Sequence, residues 1–284
     1  MTGPGLAARG EGEGEGEGKG EAPGNDQGDR SRPHPRPRLG RNLMHPIRWV
    51  PPGASSLLDV GCNVGGFLSH CRECFPALRL AGVEVNPVAL ETARRNVPEA
   101  ELHQAGSDAL PFADGRFDVV TCIEVLEHVP AELRRASLHE MRRVLRPGGR
   151  LVLRTPHAGA FAFLDPHNLR FRFPGLYARL VGQGKRDALY QKAGHEIVWH
   201  HHFNRAELLD LAGPGWTVEA VRRGGLFLAP ISEIARWPFY RSGRAEHPVC
   251  RAFARLFDAD LALNFGPAAY DILLILAREE GDRA

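Results

Sequence analysis

The chain has 284 residues, with 36 Lys and Arg against 34 Asp and Glu, 43% apolar positions and 8% aromatics. This composition is that of a globular protein and excludes a collagen, a coiled coil and a disulfide miniprotein. A net charge of +2 gives no global argument for a polyanionic partner, and no specific nucleic-acid ligand is expected.

The first forty residues hold 11 of the 32 glycines, and Glu11–Gly18 alternates Glu with Gly. Such a stretch lacks the apolar surface to offset its ordering entropy, so residues 1–40 are predicted to be a disordered tail ahead of one domain, 41–284. Acids fill its middle, whereas Arg30 to Leu58 contains none and gathers Arg30, Arg32, Arg36, Arg38, Arg41 and Arg48. This basic arm would be the point of any peripheral membrane contact; a solvated tail is the simpler reading, because Arg replaces Lys along the whole chain. No run reaches the ~18 apolar residues of a membrane span, and the N-terminus lacks a secretory layout, so a cytoplasmic protein is expected. Five cysteines, an odd number, fit reduced thiols, with Cys71 and Cys74 as buried small hydrophobes of a helix rather than metal ligands.

From Ser55 onward short apolar runs alternate with helical patterns, which predicts a doubly wound α/β sheet. Strand one is Ser56 to Val60, followed by a Gly-rich turn and a helix over Gly65 to Phe75. Strand two is Leu78 to Val85; Asn86-Pro87 then opens the next helix with a cap residue and a proline at its first position. Strand three is Glu101 to Gln104 and strand four Phe117 to Ile123. A helix over Ala131 to Leu145 ends at Pro147-Gly148-Gly149, before strand five at Arg150 to Thr155. The alternation then lapses over 156–203, and a long irregular segment after a strand of such a sheet reads as a lid on the ligand crevice. Asn204 and Glu207 form the signature of a capping box, Trp216 to Val221 reads as strand six, and Ala268 to Ala277 as a buried last strand. Between them, 224–265 reads as a helical insertion.

Strand one runs into Asp59-Val60-Gly61-Cys62-Asn63-Val64-Gly65. Glycines there let a ligand approach the backbone and offer it N–H groups, which suits an adenosine-type cofactor. Acids recur at the strand ends: Asp59, Glu84, Asp108 and Glu124. No Lys or Arg stands in the turn. Close charge pairs are worth ~1 to 4 kcal/mol, so an acid-lined pocket rejects a diphosphate and welcomes a cation such as S-adenosylmethionine.

With these residues the chain resembles a class I S-adenosylmethionine-dependent methyltransferase, over motifs from Leu57 to Pro156, and is similar to the O-methyltransferases of quinone biosynthesis. The resemblance implies a Rossmann-like, seven-stranded sheet with an antiparallel last strand. It assigns Asp59, Gly61, Asn63 and Gly65 to the first motif, Asn63 standing where the family usually has glycine. It assigns Glu84, with Val85 beside it, to the ribose hydroxyls, and Asp108 with Ala109 to the adenine. Ile123 and Glu124 fall beside the methionine part. The expected acceptor is small or lipid-like and methylated at oxygen, with nitrogen or carbon as the alternatives.

Methyl transfer requires a positioned nucleophile and, for a hydroxyl, a base; His128 is the candidate. Glu124, Glu127 and His128 also resemble a pattern associated with a divalent metal, although ligand type alone does not establish a site. In the segment 156–203, His157, His167, His195, His200, His201 and His202, with Phe161, Phe163, Phe171 and Phe173, either flank an acceptor pocket or pack and coat the surface. Adjacent histidines in extended chain face opposite ways and do not converge unaided. A nicotinamide-dependent oxidoreductase and a cofactor-binding protein without chemistry are the competing functions.

Overall fold

The computed structural model describes residues 44–165, 168–175, 179, 200–226, 228, 231, 232, 235 and 247–281. The predicted tail, His167 and His195 lie outside these residues. Strands β1 (Ser56–Val60), β2 (Arg79–Glu84), β3 (Glu101–Gln104), β4 (Phe117–Ile123), β5 (Leu145–Pro156), β6 (Trp216–Gly224) and β7 (Asp271–Arg278) form one sheet in the order β3-β2-β1-β4-β5-β7-β6. The pairs β3/β2, β2/β1, β1/β4 and β4/β5 are parallel, while β7 runs antiparallel to both β5 and β6. This is the doubly wound, seven-stranded arrangement expected.

The central strands are buried on both faces and therefore apolar without alternation. Successive side chains still divide between two cores, as the two-residue period of a strand requires. Leu58, Val60, Val120 and Cys122 join Leu138 and Met141 of helix α3 (Ala131–Val144) on one face. Leu57 and Val119 join Leu68 of α1 (Gly66–Cys74) and Leu90 of α2 (Pro87–Asn96) on the other. Cys62 and Cys71 belong to this second core, and burial pushes both thiols up; Cys74, expected to be buried with Cys71, is only partly so and packs against the core's edge.

Three local features set the geometry of the crevice. Asn86 caps α2, its side-chain oxygen accepting from the amides of Val88 and Ala89 at 2.9 and 3.3 Å. Asp118, at the foot of β4, accepts from the amides and hydroxyls of both Ser55 and Ser56 and pairs with Arg146 at 2.7 Å, locking β4 to β1. Gly65, with φ +80, turns the chain from the loop into α1.

The expected boundary between α3 and β5 needs correction. The helix ends at Val144 and the strand starts at once, Leu145 pairing with Phe117 and Arg150 with Val119. Pro147-Gly148-Gly149 is thus a bulge inside the strand rather than a loop before it, with Gly148 at φ +70 absorbing the extra residues.

Beyond β5 come a single turn of helix, α4 (Leu169–Arg172), then α5 (Arg205–Ala212) before β6 and α6 (Pro248–Leu261) before β7. Asn204 caps α5 by accepting from the Glu207 amide at 2.9 Å. The Glu207 carboxylate turns instead to His201, 2.6 Å away, so only half of the capping box forms. Among the described residues no helix is long and apolar enough to cross a membrane.

Candidate active site

The glycine turn after β1 is bonded to the neighbouring strand: the amides of Gly61 and Cys62 both donate to the Val83 carbonyl at 2.9 Å. Gly61 has φ +76, and a Cβ there would overlap Val125 in the loop after β4, so glycine is needed on both counts. Asn63 takes φ +48, the left-handed region that asparagine tolerates, which is how the chain keeps the turn without the usual glycine.

Glu84, buried at the end of β2, accepts from the amide of Asn63 through Oε2 and from that of Asn86 through Oε1, each at 2.9 Å. A carboxylate has about four acceptor sites, so each oxygen retains capacity for a hydroxyl. Val85 beside it is exposed, an apolar surface at the mouth of the crevice. Asp59 is also buried; it accepts from the Thr121 hydroxyl at 2.7 Å. Burial raises its pKa to about 7, against the pull of Thr121 and with a smaller push from Glu84. A buried carboxylate so destabilised as an anion is a receptor for a cation.

A cavity of about 420 Å³ opens at this point, with Asp59, Gly61, Asn63 and Ile123 in its wall. His45 from the 3-10 helix Pro46–Trp49 region, His70 and Phe67 of α1 and Phe257 of α6 complete it. The imidazoles of His45 and His70 meet edge to face at 5.2 Å; burial, with His70 next, lowers the pKa of His45 to about 4. Neither histidine nor Arg154, which also lines the cavity, carried a motif signal in the sequence. Only the topology brings the segment before β1 over the ends of β1 and β5.

Asp108 and Ala109 lie in the loop after β3, further along the same edge of the sheet. A scaffold on α3 holds that loop: Glu140 accepts from the Leu110 amide at 2.8 Å, and Arg143 donates to the carbonyls of Leu110 and Phe112. Glu140, as the chief partner of Arg143, has its carboxyl held below the usual range.

After β4 the chain turns sharply through Glu124, at φ +55, whose amide donates to the Arg154 carbonyl at 3.0 Å. Its carboxylate accepts from Arg154 Nε at 2.9 Å, and Asp271 lies 4.0 Å from the same nitrogen. Glu127 is fully sequestered; Thr155 donates to its Oε2 at 3.2 Å, and burial, then the Glu124 charge, pushes its carboxyl well above the usual range. His128 is half-exposed, with Nε2 3.9 Å from Glu127 Oε1. Arg154 thus engages Glu124, Thr155 engages Oε2 of Glu127, and no group of three His, Cys, Asp or Glu able to hold a metal occurs among the described residues.

Of the histidines after β5, His200 and His202 turn inward to the same oxygen of Asp165, at 3.5 and 3.3 Å, while His201 turns outward to Glu207. That is the alternation expected of extended chain. His157 lies 3.1 Å from the Ala269 carbonyl, and burial lowers its pKa. Phe163, Phe171 and Phe173 are exposed.

Residues 58–153, the stretch holding these turns, match the family model of a methyltransferase domain. The chain is also 42% identical over 201 residues to a ubiquinone biosynthesis O-methyltransferase of Cereibacter sphaeroides, covering 66% of this chain and 68% of that one. The chain belongs to the class I S-adenosylmethionine-dependent methyltransferases. A second ubiquinone biosynthesis O-methyltransferase, from Xanthomonas axonopodis, is 28% identical over 68% of this chain and 71% of its own. A solved structure of a proposed sarcosine dimethylglycine methyltransferase from Galdieria sulphuraria shares the fold, with a TM-score of 0.53 at 13% identity over 80% of this chain and 79% of its own. Against several other curated relatives the chain spans only 31% to 48% of their length.

The residues present fit the family's methyl donor. A buried carboxylate with a raised pKa lines the cavity, and a second, Glu84, has acceptor capacity on both oxygens.

Proposed function

We propose that the protein transfers a methyl group from S-adenosylmethionine to an oxygen of a small or lipid-like acceptor, in the manner of a phenolic hydroxyl. The observation that carries this reading is the position of His128. The loop after β4 crosses the glycine turn at Val125, and His128 closes a turn on that loop, its amide donating to the Val125 carbonyl at 2.9 Å. His128, half-exposed, thus belongs to the same loop that meets the glycine turn through Val125. The names of the curated relatives, which methylate oxygen, support the same choice.

In this reading Glu84 and Asp59 bind the donor, Asp59 by its charge. Asp108, with the α3 scaffold behind its loop, orients the adenine end. The bound donor supplies a methyl carbon already activated by sulfonium, so the chain has to align an acceptor and accept its proton, which is the role of His128 Nε2 or Nδ1. Described residues after β5, among them His200, flank the acceptor side.

Two measurements test the proposal. Titration calorimetry should show binding of S-adenosylhomocysteine and none of NAD; the reverse would restore the oxidoreductase. Labelled S-adenosylmethionine, offered with alkyl-substituted catechols and then a cell extract, should yield a methyl ether by mass spectrometry. Label confined to nitrogen or carbon would overturn the oxygen assignment.

A further inference from the structure

Half-exposed side chains rotate freely unless something stops them, and His128 is half-exposed. The segment after β5 places His200 against it: the two imidazoles meet edge to face, with centroids 4.5 Å apart and planes at 83°. His200 is itself held from three directions. The buried side chain of Asn168 donates to its carbonyl at 2.8 Å and accepts from its amide at 2.9 Å. Its Nδ1 lies 3.5 Å from Asp165, which is fully buried and also gathers His202 and the Tyr270 hydroxyl, at 3.3 and 3.5 Å. The buried carboxylate of Glu127 lies close to the same ring, its Oε1 3.9 Å from His128 Nε2.

We propose that His200 is a positioning residue for His128, and that Asp165 and Asn168 hold His200 for that purpose. The ring of His128 meets the edge of the His200 ring, with the Glu127 carboxylate 3.9 Å from its Nε2, so His200 limits the orientations in which His128 can take up a proton. The base of the proposed reaction is therefore assembled from two places, the loop after β4 and the described residues Asp165, Asn168 and His200. The inference rests on reading His128 as the base. It adds a dependence of proton transfer on residues outside that loop.

The test compares the full-length chain with His200→Ala and His200→Phe. Its first readout needs no turnover: the rate at which diethylpyrocarbonate modifies His128, followed by mass spectrometry of the tryptic peptide 117–134, in which His128 is the single histidine. His200→Ala should raise that rate roughly three- to tenfold, the range for loss of an aromatic edge contact, and His200→Phe should keep it near the wild-type value. The second readout is methylation of an alkyl catechol, where His200→Ala should lower kcat about tenfold with KM and S-adenosylhomocysteine affinity little changed, and His200→Phe should restore most of kcat.

Modification of His128 at the wild-type rate in His200→Ala would overturn the proposal. So would a phenylalanine variant as reactive as the alanine one, since the ring edge would then not be the holding element. If the alanine variant does not fold, Asp165→Asn keeps the shape while loosening His200, and should raise the modification rate; no rise overturns the proposal. The expected modification pattern without methylation of any acceptor by the wild type would leave the contact standing and remove the methyltransferase reading instead.

Discussion

The amides of Asn63 and Asn86 converge on one carboxylate, Glu84, each at 2.9 Å, so the residue expected to hold the ribose also ties the glycine turn to the start of α2. Replacing Glu84 by Gln leaves its shape but turns one acceptor oxygen into a donor facing an N–H. Charge-assisted bonds of this kind are worth about 1.5–3 kcal/mol, so affinity for S-adenosylhomocysteine should fall roughly 10- to 100-fold. Calorimetry decides it. Wild-type affinity in Glu84→Gln would remove the ribose assignment.

Asp59 gives the donor site a pH dependence. Burial raises its pKa from 3.8 to about 7, so the folded protein resists its ionisation. A cationic ligand favours the ionised form, and affinity should climb roughly tenfold from about pH 6 to about pH 8 as the ionised fraction rises. Asp59→Asn should flatten that profile. The sign for stability is opposite: with its folded pKa raised, Asp59 contributes stability below about pH 4 that is lost as pH rises through about 7. Asp59→Asn should therefore melt above the wild type at about pH 8, with the gap closing in acid. A gap that widens in acid would contradict this account.

Asp118 behaves in the contrary way. Burial would raise its pKa, yet the bonds from Ser55 and Ser56, with Arg146 behind them, hold it below the usual carboxylate range. Its contribution is present above the unfolded pKa and lost as pH falls through the lower folded value. Asp118→Ala orphans the hydroxyls and amides of two residues at the β1–β4 seam and should cost about 3 kcal/mol. For a domain of this size that is roughly 6–12 °C in Tm, measurable by calorimetry near neutral pH and shrinking in acid.

The succession of strands along the chain was legible because it depends on short-range signals. Leu57-Leu58-Asp59-Val60-Gly61 carries a strand and its turn within five residues, and the limits of β1, β3 and β4 agree with those expected. The limits of β5 do not, because Pro147-Gly148-Gly149 reads locally as a stop, and only pairing with β4 shows the chain absorbing it as a bulge. The wall formed by His45, His70 and Phe257 was illegible for a different reason: its members come from the segment before β1, from α1 and from α6, and share no spacing. The partners of His200 and His202 were hidden likewise. Alternation puts both on one side of the chain, but nothing in the sequence near them points to Asp165, more than thirty residues away.

His128 is the residue on which turnover should depend while binding does not. It is not among the residues that line the cavity with Asp59 and the glycine turn, so His128→Ala should leave S-adenosylhomocysteine affinity within about twofold. A positioned general base contributes about 10²- to 10⁴-fold, and kcat toward a hydroxyl acceptor should fall by that order. The loss should be greatest for weakly acidic alcohols and smaller for acidic phenols, which need less help in giving up a proton. Steady-state rates on acceptors of graded acidity distinguish this from mere bracing of the loop, which would slow every acceptor alike. An undiminished rate in His128→Ala would assign the proton to another group, and His200, at 4.5 Å, is the first to examine.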